Sequence, residues 1–378
     1  MAILRPNKPP LPAKLDDFVW KKWFSDLYDL TKSGVVSPSP LTYPTNGVQG
    51  HLVPKNVVIN GDFQVWQRGT TFTVGAVNSV YSADRWTGSR GGIVGMTMSR
   101  QTGPSGIPFC IRATRAVADV GTNDQTICYN VPTLDAIAFA GQQLTCSFWM
   151  RIGSGFATGS RMEVRILSGT GTDENRLNGA YTGAFPINQT YVAACNTTWQ
   201  RFSFNFTLAS TVTEFCALFS QRGITASAAA ANDYFEMTGV QIEAGGVASP
   251  FQFEPFAQTV LRCQRFFQKS FPYAVTPAQN TANNLGAFQH TVTTAGAAAS
   301  YSGVLSFSPT MHRTPTMTFY NPNAANAFTW NYNTTTSGTA TAASGITNEK
   351  FLALQTTGVA GWAVGQLLAI HWTADSEL

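Results

Sequence analysis

Charged side chains are scarce in this sequence. Lys, Arg, Asp and Glu make up 12% of the 378 residues, which is about half of the usual quarter. No basic run exceeds Lys21-Lys22, and the formal net charge is only +4. Proteins that bind nucleic acid hold the phosphates with clustered Lys and Arg, so nucleic acid is not a predicted partner. The low charge also excludes a Glu- and Lys-rich helical bundle and a disordered polyelectrolyte.

Long apolar runs and cysteine pairs are missing as well. No apolar run reaches the length of about 18 residues that a membrane-spanning helix needs, so membrane insertion is not predicted. The proline-rich start of the chain, MAILRPNKPPLP, lacks the apolar core of a secretory signal. The six cysteines are widely spaced and form no CxxC pair. They therefore predict buried, reduced thiols and no disulfide framework.

Catalytic motifs are absent from the sequence. The four histidines form no HxH or HExxH motif, so no metal site is predicted from them. There is no GxSxG nucleophile elbow, no Walker loop and no GxGxxG motif that opens a helix. The carboxylates that glycoside hydrolysis would need cannot be paired across a cleft from sequence alone. We therefore predict no catalytic residue and no enzyme.

What the sequence does contain is strict alternation of apolar and polar residues between about 56 and 253. In LTCSFWMR, the side chains of Leu144, Cys146, Phe148 and Met150 share one face. The segment FSFNFTL alternates in the same way, and about ten such stretches are separated by Gly, Asn and Pro turns. This spacing predicts a mainly β fold with a jelly-roll β-sandwich over 56–253. A β-bulge is predicted at Gly239, where the alternation of YFEMTGVQIEA changes phase.

Residues 1–55 have a different pattern. A proline-rich stretch precedes one short amphipathic helix, whose apolar stripe recurs every three or four residues. The stripe consists of Trp20, Trp23, Phe24, Leu27 and Leu30. It can pack on its own domain or on another chain, and the proline-rich spacers on both sides fit a tethered docking element. We predict that residues 1–55 form a particle-docking segment with this helix.

Two further regions follow the sandwich. Residues 254–270 space apolar side chains by three and four, which predicts a linking helix. Residues 271–378 alternate again, which predicts a second, C-terminal β domain. That domain has only five charged side chains. Interfaces between protein chains are depleted in charge, so this composition favours an oligomer.

One face of the LTCSFWMR strand has the chemistry of a sugar-binding surface. It presents Thr145, Ser147, Trp149 and Arg151. A flat indole stacks on the apolar face of a sugar ring, and short polar side chains bond its hydroxyl groups. These four residues are the predicted glycan-binding residues. The alternative is that a loop or a neighbouring chain covers Trp149. Trp66 and Trp86, which lie near turns, are predicted to be structural.

Several segments, taken in order, resemble a known family. They are NGDFQVWQRGTTF, SADRWTG, LTCSFWMR, TTWQRFSFNFTL and YFEMTGVQIEAGGVASPFQFEPFAQTVLRCQRFFQK, followed by the closing LAIHWTADSEL. Together they are similar to the carbohydrate-binding-module-like jelly roll of tailed-bacteriophage tail fibre and related virion proteins. The resemblance implies a virion location, contact with host glycan and a threefold assembly. Some modules of this type bind structural calcium near the first and last strands, where Asp62 and Glu243 lie here. Calcium therefore stays an alternative to our prediction of no cofactor.

The sequence thus predicts a structural and adhesive virion protein of the tail fibre type, made in the host cytoplasm. Its N-terminal segment would dock on other virion proteins of the tail or capsid, and its β domains would bind host-surface glycan as a homotrimer. One alternative is a head fibre, cement or adaptor protein without glycan affinity. A second alternative is a polysaccharide depolymerase, although the chain has few acidic residues and no long repetitive β-helix.

Overall fold

The fold was determined as a computed structural model. It describes residues 56–378, apart from short gaps at 75–78, 91–94, 187, 193–194, 292, 294–299, 324, 326–328, 332–336, 339–341 and 357–362. The predicted docking residues Trp20, Trp23, Phe24, Leu27 and Leu30 lie outside the described residues. All the described residues belong to one compact unit.

The described chain is mainly β-structure, with little helix. Its two α-helices are α1 (Thr133–Ala136) and α2 (Phe256–Gln264), and a short 3-10 helix spans Ile137–Phe139. Neither α-helix is long and apolar enough to cross a membrane. The strands, in chain order, are β1 (Thr71–Val74), β2 (Val80–Tyr81), β3 (Trp86–Ser89), β4 (Met96–Thr102), β5 (Phe109–Arg115), β6 (Gln125–Val131), β7 (Gln143–Ile152), β8 (Arg161–Gly169), β9 (Asn188–Tyr191), β10 (Gln200–Thr207), β11 (Glu214–Arg222), β12 (Tyr234–Ala244), β13 (Phe267–Lys269), β14 (Phe288–Thr291), β15 (Ser300–Ser306), β16 (Thr316–Tyr320), β17 (Thr329–Asn331), β18 (Ser337–Gly338), β19 (Ala342–Thr347), β20 (Phe351–Thr356) and β21 (Leu367–Asp375).

The first twelve strands form two six-stranded antiparallel sheets. Sheet I has the order β1-β4-β5-β12-β7-β10, and sheet II has the order β2-β3-β6-β11-β8-β9. From β5 to β12 the chain changes sheet at every connection except the one between β8 and β9. The resulting orders β5-β12-β7-β10 and β6-β11-β8-β9 are those of an eight-stranded jelly roll. The predicted jelly-roll sandwich is therefore confirmed.

The alternation in the sequence explains the core between the two sheets. The apolar phase of β7 is fully buried, and Phe148 packs edge-on against Phe219 of sheet II with ring centroids 5.1 Å apart. Trp86 of β3 is also fully buried, and its indole N–H donates to the carbonyl of Asn60 at 3.0 Å. Trp66 is equally inaccessible to solvent. Both tryptophans are structural, as predicted.

The predicted bulge lies where the sequence placed it. The register between β12 and β7 shifts between Thr238 and Gln241, and Gly239 has a φ of +59°. A Cβ atom at Gly239 would lie 3.0 Å from the side chains of Ile107 and Trp149. Glycine suits this position for two reasons. It adopts a positive φ without strain, and it has no Cβ atom to contact these side chains.

The C-terminal region is also β-structure, as predicted, but most of it is organised around one strand. β21 pairs with β13, β14, β16 and β17, while β15, β20 and β19 form a separate three-stranded sheet. A small apolar cluster lies in this region and consists of Phe307, Met311, Phe319, Leu352, Leu354, Ile370 and Ala374.

The linking helix is shorter than the predicted range 254–270. It ends at Gln264, and Phe267 begins strand β13, where it pairs with Asp375 of β21. Phe267 is buried in β13, and its spacing from Cys263 in the sequence fits a helix as well, so the spacing alone did not reveal the change from helix to strand. Tertiary pairing with β21 overrides the local helical pattern here.

A buried ionic cluster connects the jelly roll to the last residues of the chain. Arg85 forms an ion pair with Glu377, and each of these side chains is at most 2% exposed. Arg68 lies 3.0 Å from Asp375 and 3.5 Å from Glu377. The Arg85 guanidinium also stacks 3.5 Å from the ring centroid of Phe266. Because the chain end holds the partners of two buried guanidinium groups, it is part of the jelly roll's own packing.

Candidate functional site

The outer face of sheet I has the character of a binding surface. Since side chains alternate across a strand, the polar phases of β5, β7, β10 and β12 all lie on this face. The register places Arg151 opposite Glu236, and Trp149 between Arg201 and Thr238. The predicted residues Thr145, Ser147, Trp149 and Arg151 form one row of this face. A segment of the chain divides the face into two halves.

One half is covered by residues 245–252, which we call the covering segment. The hydroxyl of Thr145 lies 2.6 Å from the carbonyl oxygen of Gly245. The hydroxyl of Ser249 donates to Glu243 at 2.7 Å, and the backbone N–H of Gln252 donates to Gln241 at 2.9 Å. The covering segment thus uses the polar groups of β12 and β7 as its own hydrogen-bond partners.

Thr145 and Ser147 lie in this covered half. Each is 1% exposed, and the Ser147 hydroxyl accepts a hydrogen bond of 3.2 Å from Arg201. Because neither hydroxyl reaches the surface, the predicted row is reduced to Trp149 and Arg151. Glycan binding by these two remains a prediction.

The other half, which we call the open half, is built around a buried carboxylate. Glu236 is fully buried and accepts from Arg112 Nε at 2.7 Å and from Arg151 Nε. Each guanidinium also lies over an aromatic ring. Arg112 is 4.0 Å from the centroid of Tyr234, and Arg151 is 4.9 Å from the centroid of Trp199. Both arginine side chains remain about a quarter exposed, at 26% and 28%.

Trp149 lies at the boundary between the two halves. It is half-buried, and its ring lies beside the Gly239 bulge, which Phe251 also approaches. The sequence left open whether Trp149 is exposed or covered. In the structure its side chain is neither fully exposed nor fully buried. It lies two residues from Arg151 on the same face of β7.

Four residues of the open half were missed by the sequence reasoning: Arg112, Trp199, Tyr234 and Glu236. A signal for three of them was available. Arg112 occupies the polar phase of FCIRATR, and Tyr234 and Glu236 occupy that of YFEMT, so both strands contribute to one sheet face. What the sequence could not supply is the order of the strands, which makes β5 and β7 the two neighbours of β12.

A second concave site lies next to the covering segment. It is a cleft of about 520 Å³ between residues 56–62 and 251–262. Its wall includes Asp62, which is buried, and the ion pair of Glu254 with Arg262 at 3.2 Å. Burial raises the pKa of Asp62, and the charge of Glu254 raises it further, while the hydrogen bond from Gln64 opposes both effects. Phe253, 57% exposed, is the most accessible ring of this cleft.

Asp62 and Glu243, the two carboxylates considered as calcium ligands, both accept hydrogen bonds from groups of the protein. Glu243 accepts hydrogen bonds from Gln241, the Ser249 backbone and the Ser249 hydroxyl, all between 2.7 and 2.8 Å. Asp62 accepts from Gln64. Within the described part of the chain, no three His, Cys, Asp or Glu side chains are grouped so that they could hold a metal ion.

No protein-family model matches this chain, and no curated protein does. Among solved structures, one likeness is to the enzymatically active domain of tailspike protein 4 from bacteriophage CBA120. The identity is 11%, the TM-score is 0.30, and the match covers 50% of this chain and 22% of the tailspike chain. This chain thus spans about a fifth of that protein.

Two carbohydrate-binding modules supply further likenesses. One is the CBM22-1 xylan-binding domain of Paenibacillus barcinonensis Xyn10C, with 9% identity, a TM-score of 0.28, and coverage of 48% of this chain and 99% of that chain. The other is the C-terminal family 22 carbohydrate binding module of Clostridium thermocellum Xyn10B, with 11% identity, a TM-score of 0.28, and coverage of 48% and 98%. Likenesses of this degree carry no inference about what this chain binds, which has to come from its own site.

Proposed function

We propose that this chain is a structural and adhesive bacteriophage virion protein of the tail fibre type, and that its jelly roll binds host-surface glycan through the open half of sheet I. The observation that supports glycan binding is the composition of the open half. Three partly accessible aromatic side chains, Trp149, Trp199 and Tyr234, lie around two guanidinium groups that a buried carboxylate holds in place.

This chemistry suits a sugar for two reasons. An aromatic ring stacks on the apolar face of a pyranose, which is worth on the order of 1 kcal/mol beyond the buried area. Guanidinium N–H groups that are not used by Glu236 can donate to hydroxyl or carboxylate oxygens. Because Glu236 fixes the orientation of both arginines, little side-chain freedom is lost when a sugar binds.

A single site on an open sheet face binds weakly. Several copies on one particle would raise the apparent affinity, because each further contact forms at a high effective concentration. The proposal therefore includes the homotrimer and a docking role for residues 1–55 on tail or capsid proteins. It is supported by the aromatic stripe of that segment and by the five charged residues of 271–378.

The test is binding of the purified chain to a panel of immobilised bacterial surface polysaccharides. We expect Trp199→Ala and Trp149→Ala to weaken binding to the best polysaccharide by about fivefold or more each, as the loss of a stacking ring implies. Unfolding curves should show that Trp199→Ala remains folded, since Trp199 is half-buried on the surface.

Phe253→Ala is the matched control, because it removes an exposed ring from the neighbouring cleft. Loss of binding in Phe253→Ala, with Trp199→Ala unaffected, would move the site to the cleft and overturn this assignment. Normal binding by all three variants would place the glycan site elsewhere on the chain and overturn this assignment. Absence of binding in every protein, including the parent, would favour the cement or adaptor alternative.

The proposed role is binding without cleavage. The depolymerase alternative has one specific location to be tested, since Asp62 and Glu254 both line the cleft. We expect no release of reducing ends from any polysaccharide that binds. Release that disappears in Asp62→Asn and in Glu254→Gln would establish the enzyme instead.

A further inference from the structure

The open half has more positive charge than its carboxylate neutralises. Two guanidinium groups, Arg112 and Arg151, share the single carboxylate of Glu236. On the whole outer face of sheet I, Arg201 adds a third guanidinium, and the second carboxylate, Glu243, lies under the covering segment. An uncompensated cation therefore remains at the accessible part of the face.

The arrangement directs this charge outward. Glu236 is fully buried and accepts a hydrogen bond from Nε of Arg151, and the guanidinium lies over the Trp199 ring, 4.9 Å from its centroid. The edge of the guanidinium that remains is the pair of terminal amino groups. Two parallel N–H donors in one plane match the two oxygens of a carboxylate. Arg112 lies over the Tyr234 ring and contacts Glu236 through both Nε and one terminal amino group, at 2.7 and 2.6 Å, so it adds positive charge to the face but not the same free pair of donors.

We propose that the ligand of this face is an acidic polysaccharide whose sugars bear carboxylates, that is, a polymer of uronic acid type. This inference rests on the proposed glycan-binding function and specifies its ligand. In a uronic acid the carboxylate is bonded directly to the sugar ring. Trp149 and Arg151 are two residues apart on one strand face, about 6.6 Å along the strand. One sugar can therefore lie against the indole of Trp149 while its carboxylate meets Arg151.

Charge complementarity disfavours the other occupants. A neutral sugar would bring no partner for the excess guanidinium charge. A nucleic acid or a densely phosphorylated polymer is bound by many Lys and Arg residues along a track, whereas this face combines three arginines with two acids. The modest excess of positive charge fits a ligand with one negative charge per sugar.

The experiment compares polymers that differ only in the carboxylate. Binding of the full chain is measured by affinity electrophoresis against polygalacturonate, alginate and hyaluronate, and against the same polymers after chemical reduction of the carboxyl groups to alcohols. We expect at least one acidic polymer to bind about tenfold or more tightly than its reduced form, as a charge-assisted hydrogen bond implies. Its affinity should fall as salt is raised, because the charges are partly exposed.

Single substitutions of the arginines test where on the chain the preference for the acidic polymer arises. Arg151→Gln and Arg112→Gln should each remove most of the preference for the acidic form, while Arg151→Lys should retain only part of it, because an ammonium group cannot donate in the same planar pair. Arg262→Gln is the matched control, since Arg262 is also ion-paired and about a third exposed, at 34%. Unfolding curves for all four variants separate loss of binding from loss of structure.

The outcomes distinguish the inference from the function on which it rests. Equal binding of acidic and reduced polymers, with loss in Trp199→Ala, would overturn the acidic ligand and leave glycan binding intact. Preference for a phosphate-bearing wall polymer over every uronate would also overturn it. A preference for uronate that persists in both glutamine variants would place the acidic site elsewhere. Failure of every polysaccharide to bind would overturn both proposals.

Discussion

The jelly roll and the C-terminal region are built from similar strands but are stabilised differently. Among the described residues, the main cluster contains 38 buried apolar side chains, all between 57 and 266, whereas the cluster of the C-terminal region contains seven. The C-terminal region instead depends on β21 and on contacts with the jelly roll. Asp375 and Glu377 pair with Arg68 and Arg85 there, and His312 lies 2.9 Å from Asp173. Similar alternation in a sequence can thus produce either a region with its own core or one that depends on its neighbour.

The largest loss of stability is expected from a substitution in the core of the jelly roll. Trp86→Ala removes a fully buried ring that packs 4.8 Å from Phe63 and 5.1 Å from Tyr129, measured between ring centroids. We expect the free energy of unfolding to fall by about 3–5 kcal/mol. Because the C-terminal region depends on the jelly roll, both should unfold in one transition in urea. A C-terminal region that stays folded in this variant would show that it has an independent core.

A smaller loss of stability is expected when the buried ion pair between Arg85 and Glu377 is broken. Glu377→Ala leaves the guanidinium of Arg85 buried without its carboxylate, which costs about 3 kcal/mol. The effect is at the lower end of the range because Arg85 keeps its 2.9 Å hydrogen bond to the carbonyl of Asn130. Limited proteolysis should then cut 271–378 before the jelly roll.

The control for Glu377→Ala is the double variant Arg85→Met/Glu377→Leu. It removes both charges and keeps apolar volume, so it should recover much of the lost stability. A double variant as unstable as Glu377→Ala would show that the ion pair contributes more than the avoidance of an unpaired charge.

The smallest expected effect is a pH dependence of stability that arises from one carboxyl group of the jelly roll. Burial raises the pKa of Glu214 to about 7, and the neighbouring Glu174 carboxylate contributes to the rise. The folded state therefore keeps a proton that the unfolded state has released above its ordinary pKa of 4.5. Stability from this group is present below pH 4.5 and is lost as the pH rises through about 7.

Glu214→Gln should remove this loss, because an amide has the shape of the protonated acid and does not ionise. We expect the variant to gain stability relative to the parent at pH 8 and to differ little at pH 4.5, as measured by melting temperature in matched buffers. A gain of equal size at both pH values would mean that ionisation of Glu214 is not its cause.

The sequence predicted the fold where apolar and polar residues alternate along a strand and the apolar phase faces the core. β7 and β12 were found with nearly their observed bounds, because their apolar phase is unbroken or interrupted only by the Gly239 bulge. β3 was missed because its four residues, WTGS, are too few to show an alternation that stands out from a turn. β13 was missed because only its pairing with β21 distinguishes it from the end of a helix.

The positions of side chains on the outer face of sheet I were predicted in part for the same reason. The phase of β7 placed Trp149 and Arg151 on the outer face, and this was correct. Burial of Thr145 and Ser147 could not be predicted, because it depends on a covering segment that lies about 100 residues further along the chain and returns over them only after β12 is in place. The pairing of Arg112 with Glu236 likewise requires knowing that β5 and β12 are neighbours.

The dependence of four strands on β21 has a consequence for biosynthesis. The jelly-roll strands are complete at residue 244, more than 120 residues before β21 begins at residue 367. During translation the jelly roll can therefore fold while β13, β14, β16 and β17 still lack their partner, and N-terminal parts generally fold first. These strands leave the ribosome unpaired and almost without charge, which is the state in which strand edges join to other chains. Neighbouring nascent chains on one messenger RNA are the first copies they can meet. If the chain forms the proposed homotrimer, its assembly could therefore begin before synthesis has ended.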